Sequence, residues 1–269
     1  MDLTDAYANG KYIPDAASYP PRWAAEAAAF RAGLGTRAKL DLTYGPEPRN
    51  RFDLFLPEGA PDGVVVFIHG GYWLDFDKSS WSHLAAGPLA RGWAVAMPSY
   101  RLAPKVRISE ITREVVAAVE AAAGLVDGPV IITGHSAGGH LSARMRCTDL
   151  GLSVADRLTR VVPISPVADL RPLLHTAMNA ELKLDASEAN AESPVLHSAL
   201  SDAETVIWVG AEERPSFLDQ ARWLAEAWAG AVLRVAPGLH HFDVIEDLAK
   251  PDSPLTNSLF DPVRPAETL

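Results

Sequence analysis

The sequence predicts an α/β architecture: a mostly parallel, eight-stranded sheet with helices on both faces. Two observations predict it. Short apolar runs alternate with helical patterns along most of the 269 residues. One run, Val64-Val65-Val66-Phe67-Ile68, is apolar at every position, as a strand buried on both faces should be. With 48% hydrophobic and 22% charged residues, the chain has the material for a sizeable core, which suits one large domain over residues 1–269.

Strands are expected at 40–44, 52–56, 64–68, 94–97, 130–133, 161–164, 206–209 and 232–235. In the first, Leu40, Leu42 and Tyr44 should face one way and Asp41 and Thr43 the other. Helical spacing joins Ile111, Val115, Ala118 and Ala122 ahead of Gly124, and Phe217, Ala221, Leu224 and Trp228 ahead of Gly230. An Ala-rich helix at 23–30, part of a helical extension over 1–36, should lie outside the sheet. The stretch between the sixth and seventh strands, about 170–195, breaks the alternation and is too long for a turn. It reads as a small helical cap over one end of the sheet.

The formal net charge of −10 repels phosphate backbones and anionic lipid, so neither nucleic acid nor a membrane surface is an expected partner. The longest apolar run that stands out is far too short to span a bilayer, and the acidic start Met1-Asp2-Leu3-Thr4-Asp5 does not resemble a secretory signal. A cytoplasmic protein acting on a small molecule is the expectation, with a homodimer left open. The single cysteine, Cys147, excludes an intramolecular disulfide and a cysteine-based zinc site. It falls in an apparent helix and reads as a half-buried structural thiol.

Chemistry concentrates after four of the strands. Gly134-His135-Ser136-Ala137-Gly138 follows the buried run at 130–133 and precedes a helical stretch at 141–146. In a strand–turn–helix setting, Gly-x-Ser-x-Gly places a serine on a tight, strained turn, with its hydroxyl held out at the carboxyl end of the sheet. The pattern resembles the nucleophile turn of α/β-hydrolases, and it makes Ser136 the candidate nucleophile. His69-Gly70-Gly71-Tyr72-Trp73 follows the run at 64–68. A Gly-Gly turn there can aim backbone amides at the negative charge that acyl transfer builds on oxygen. The candidate donors are the amides of Gly71, Tyr72 and Ala137, and His69 is expected to orient the loop.

The triad order of this fold is serine, acid, histidine. The base therefore belongs in Gly238-Leu239-His240-His241-Phe242-Asp243, after the last strand. His241 is the choice and His240 a flanking residue. His-His-x-Asp also allows a metal site, but no further ligand cluster accompanies it, so no metal or cofactor is expected. The acid belongs in Gly210-Ala211-Glu212-Glu213, with Glu213 preferred and Glu212 in reserve. His83, His135, His140, His175 and His197 precede the region of the base and are read as structural or as pocket lining.

The His-Gly-Gly-Tyr-Trp stretch resembles the His-Gly-Gly-x-Trp signature of the kynurenine formamidase (arylformamidase) branch of α/β-hydrolases. Tyr44-Gly45 with Asp53-Leu54-Phe55-Leu56-Pro57, Tyr100-Arg101-Leu102-Ala103-Pro104, Gly134 to His140, Asp169-Leu170-Arg171-Pro172-Leu173, Ser193-Pro194 and His241-Phe242 extend the similarity over most of the chain. The resemblance implies oxyanion donors at Gly71 and Tyr72 and a base at His241. It implies an acid three residues after the strand-ending glycine, where the family usually has Asp and this chain has Glu213. The activity implied is hydrolysis of a small formamide or ester, foremost N-formyl-L-kynurenine, with Tyr72, Trp73 and Trp81 as flat apolar walls for the aromatic leaving group. A short-chain carboxylesterase is the alternative within the fold. A non-catalytic binding protein on the same scaffold is the alternative outside it.

Overall fold

The computed structural model describes residues 2–200 and 202–263. Eight strands form one sheet: β1 (Ala38–Thr43), β2 (Arg51–Phe55), β3 (Val64–Ile68), β4 (Ala94–Pro98), β5 (Val130–His135), β6 (Leu158–Ile164), β7 (Glu204–Gly210) and β8 (Val232–Ala236). Their spatial order is β1-β2-β4-β3-β5-β6-β7-β8. β2 runs antiparallel to both its neighbours, and all remaining pairs are parallel.

The period of two along β3 explains its composition. Val64, Val66 and Ile68 join one core cluster with Ile111, Val115 and Val119, whereas Val65 and Phe67 join another with Trp23, Trp81 and Leu255. The first cluster is covered by α3 (Ile108–Ala123) and α4 (Ala137–Arg144). The second is covered by α1 (Tyr19–Leu34), α2 (Ala86–Ala90) and α8 (Pro254–Phe260). A polar residue at any β3 position would bury an unpaired group. From β3 the chain turns to β4 on one side, and only later adds β5 on the other. The β3/β5 boundary is therefore the switch point, where open α/β sheets leave a crevice at the carboxyl ends of their strands.

Between β6 and β7 lie the short helices α5 (Asn179–Leu182) and α6 (Ala186–Ala191). Carboxylates fix this segment to the body. Glu192 accepts from Thr112 Oγ1 (2.6 Å) and Arg144 Nε (3.2 Å), and its carbonyl meets His140 Nε2 at 2.6 Å. Glu188 accepts from the Ser109 amide (3.0 Å) and Arg107 Nε (2.8 Å). The last helix before β8 is α7 (Pro215–Ala227). No helix is long and apolar enough to cross a membrane among the described residues.

Three local expectations are corrected. The simple alternation of the first strand fails because β1 bulges between Lys39 and Leu42. Asp41 takes a positive φ of 58°, and Leu40 is left 46% exposed. The bulge serves a buried carboxylate: the Asp41 amide donates to Asp53 Oδ1 (2.9 Å), and Lys78 Nζ bonds Asp53 (2.7 Å) and Asp41 (2.8 Å). The helix expected at 141–146 starts earlier, at Ala137 directly after Ser136, and ends at Arg144. Cys147 is therefore not helical. It forms an isolated bridge with Ala199 and is fully buried beside Ile207, Leu224 and Trp228, which raises its thiol pKa to about 12.

Close backbone approach fixes the glycines of the turn after β5. A Cβ at Gly138 would lie 1.9 Å from the Ile68 carbonyl oxygen, whereas one at Gly33, on α1, would meet nothing within 4 Å. Gly138→Ala is expected to cost about 3 kcal/mol or more. Gly33→Ala should raise stability by about 0.4–1 kcal/mol. Denaturant midpoints of the two variants check this, and equal midpoints would contradict the packing described.

His69 and His140 are buried, and desolvation lowers their pKa values from 6.5 to about 4 and about 3. The unfolded chain gains these protons below pH ~6.5 while the folded chain refuses them. Their stabilisation is therefore complete above that pH and is lost as pH falls toward 4. Each should contribute up to about 2 kcal/mol of loss by pH 5. Melting temperatures recorded from pH 7.5 to 5 should begin to fall near 6.5, above the carboxylate range. A flat profile down to pH 5 would contradict the burial.

Candidate active site

Four strand-end loops meet at the carboxyl edge of the sheet, beside the switch point. β5 runs into Ser136, whose backbone sits at φ 59°, ψ −114°, a strained conformation for a residue with a Cβ. Its amide donates to the Ile164 carbonyl (2.9 Å) and its carbonyl receives the His140 amide (2.9 Å), so the turn is held from both sides. α4 begins at the next residue. The first amides of a helix have no partner inside it, which leaves the Ala137 N–H free to receive charge.

The β3 loop lies alongside. Tyr100 donates its hydroxyl to the His69 carbonyl (2.8 Å), and its ring stacks on the His69 imidazole at 4.3 Å and 6°. From that anchor the chain turns through Gly71, Tyr72 and Trp73, all with positive φ (106°, 50° and 59°). Only glycine suits the first of these positions, because a Cβ there would lie 2.5 Å from the Asp75 carbonyl oxygen. Among the described residues, neither the Gly71 nor the Tyr72 amide has a hydrogen-bond acceptor.

Glu213 and His241 come from the loops after β7 and β8. His241 Nδ1 lies 2.6 Å from Glu213 Oε2, and the Glu213 side chain is wholly buried. The other carboxylate oxygen, Oε1, accepts from the Gly210 amide (2.9 Å) and from the Ser165 hydroxyl. Both oxygens are thus occupied, and the carboxylate cannot turn away from the imidazole. The His241 ring also packs against Phe217 (4.3 Å) and His135 (4.6 Å). Burial, with the neighbouring His241, depresses the His135 pKa well below its usual value, so His135 stays neutral.

The rival residues point elsewhere. Glu212 is solvent-exposed. His240 turns to Asp243 (3.2 Å) and the Tyr19 hydroxyl (3.1 Å). Among the described residues, no cluster of three His, Cys, Asp or Glu side chains could hold a metal ion.

Ser136 and His241 share one cavity of about 500 Å³, a size typical of small-molecule sites. Its walls are aromatic: Tyr7, Trp23, Tyr72, Phe76, Trp81 and Phe242, with Met178 from the segment between β6 and β7. Trp73, expected on this wall, is absent from it. Its ring is fully buried under the loop, edge-on to His140 at 5.1 Å, because the turn at Tyr72 points it inward.

Sequence reasoning missed Ser165, Tyr7 and Trp23. Ser165 had a signal, a Ser-Pro step directly after β6. Tyr7 and Trp23 lie in the N-terminal extension, and no periodicity tells which strand end such a segment will fold over.

Residues 65–236 match the family described as having the alpha/beta hydrolase fold. The chain is 28% identical over 245 residues to kynurenine formamidase of Danio rerio, covering 85% of this chain and 83% of that one. It is 30% identical over 239 residues to kynurenine formamidase of Drosophila melanogaster, covering 81% and 79%. A crystal structure described as a candidate thioesterase from Silicibacter sp. superposes with a TM-score of 0.94 at 59% identity, covering 96% of this chain and 99% of that one. On sheet order, switch-point site and these matches together, the chain belongs to the α/β-hydrolase fold family.

Proposed function

We propose that the protein is a serine hydrolase that removes a small acyl group from an amide or ester, with N-formyl-L-kynurenine as the leading substrate. The observation that carries the proposal is the buried Glu213–His241 contact at 2.6 Å, opening on the same cavity as a strained serine turn. In this reading His241 accepts the Ser136 proton as Oγ attacks the formyl carbon. The carbonyl electron pair moves onto oxygen, where the amides of Gly71, Tyr72 and Ala137 receive the charge. As the intermediate collapses, the C–N bond breaks and the leaving amine takes the proton from His241. Water, deprotonated by His241, then attacks the formyl-serine; the bond from carbon to Ser136 Oγ breaks, formate leaves and His241 returns the proton to Oγ. Glu213 fixes the imidazole tautomer and stabilises the imidazolium.

The aromatic walls support an aryl leaving group, and the two formamidase relatives support a formyl donor. A second reading, acyl thioester hydrolysis, is favoured by the description of the 59% identical structure.

Three substrates separate these readings: N-formyl-L-kynurenine, 4-nitrophenyl acetate and an acetyl thioester. The formamide should lead in kcat/KM by more than about 200-fold, beyond what one methylene in an apolar pocket confers. A lead of that size for either other compound would replace the substrate. Ser136→Ala should lower kcat by at least about 10⁴-fold and abolish labelling by a fluorophosphonate probe. Turnover surviving in that variant would remove the serine mechanism.

Glu213→Gln keeps the shape but loses the charge, and should reduce kcat by about 10²–10⁴-fold. Glu212→Gln should stay within about twofold of wild type, as an exposed charge away from the reaction should. Steady-state assays check the pair, and a larger loss at Glu212 would reassign the acid.

A further inference from the structure

L-residues persist at positive φ only where their surroundings over-determine the conformation. Two such residues, Tyr72 and Trp73, stand together in the β3 loop. Trp73 is fixed from inside the protein by complete burial, and its carbonyl receives the Ala103 amide (2.9 Å). Tyr72 faces the cavity and is restrained differently. Its hydroxyl donates to the Tyr7 carbonyl (2.6 Å) and receives Asn9 Nδ2 at 3.4 Å.

Tyr7 and Asn9 belong to two short turns (Asp5–Tyr7 and Asn9–Tyr12) that form a strap across the cavity wall. The strap is itself pinned. Gln220 Nε2 donates to the Tyr7 hydroxyl (2.9 Å), Arg214 reaches Asp5 (3.1 Å), and the Ser216 hydroxyl donates to the Ala6 carbonyl. The Tyr7 ring stands edge-on to Phe217 at 5.9 Å, and Phe217 packs on His241. One strap therefore touches both the loop beside Ser136 and the support of the imidazole.

We infer that the Tyr72 hydroxyl is a positioning group, which by latching onto the Tyr7 carbonyl holds the Tyr72 amide aimed at the oxyanion. The inference rests on the serine-hydrolase reading. Tethering the tip of a side chain whose backbone is strained opposes relaxation of φ, because relaxation would break the tether. An oxyanion donor acts on the transition state rather than on the bound substrate, and losing one outright costs about 10²–10³ in kcat. A donor left in place but unlatched should cost less, and should act on kcat more than on KM.

Tyr72→Phe keeps the ring and removes the latch. It is expected to lower kcat by about 10- to 100-fold with KM within about threefold, and to slow fluorophosphonate labelling of Ser136 by a matching factor, since the phosphoryl oxygen occupies the same amides. Ser216→Ala loosens the strap outside the cavity wall. It should slow labelling by about two- to fivefold, and it carries the test if Tyr72→Phe does not fold. Labelling and kcat at wild-type rates in the folded variants, even with a lowered melting temperature, would reduce the latch to a structural contact and overturn the inference. A wild-type protein that the probe does not label would instead sink the serine-hydrolase reading beneath it.

Discussion

The site depends on how closely the end of β3 passes the start of α4. The Ile68 carbonyl oxygen occupies the space that a side chain at Gly138 would need. A Cβ at Gly134 would likewise meet the Gly138 and Ile68 carbonyl oxygens at 2.3 and 2.7 Å. These contacts bring two strand ends together at the switch point with no side chain between them. One strand end supplies the serine turn and the other a loop of free amides. With larger residues the loop would stand farther off, and the amides and the hydroxyl would no longer border one cavity.

The electrostatics follow from the same economy of space. Glu213 is wholly buried, and burying a carboxylate is costly unless its lone pairs are used. Here Gly210, Ser165 and His241 use them. The charge is held in place before any substrate arrives, so no reorganisation is needed when the imidazole becomes positive in the proposed reaction. An aspartate at this position would have a shorter reach. The longer Glu213 side chain is accommodated by its turn, where the Glu213 amide returns to the Gly210 carbonyl (3.3 Å).

The sheet was legible because burial on both faces leaves unbroken apolar runs that the sequence must display. Runs such as 64–68 and 130–133 cannot be read as anything that faces water. The serine turn was legible because backbone contact forces glycine at fixed spacing. Glu213 was separable from Glu212 only by the position at which the resemblance expects an acid, since adjacent like charges in a loop carry no signal of which one faces inward. The bulge at Asp41, the inward turn of Trp73 and the reach of the N-terminal strap were hidden for a common reason. Each is set by a tertiary partner, respectively Asp53, His140 and Tyr72, that no local pattern identifies.

Cys147 carries a practical consequence. As the chain's one thiol, sealed between α4, β7 and α7 with its pKa raised to about 12, it is nearly inert to alkylating reagents while the native packing lasts. It becomes reactive once the helix layer on that face lifts from the sheet. The rate at which a maleimide dye attaches to the unmodified protein therefore measures how often that layer opens, giving a built-in gauge of local breathing beneath the serine helix.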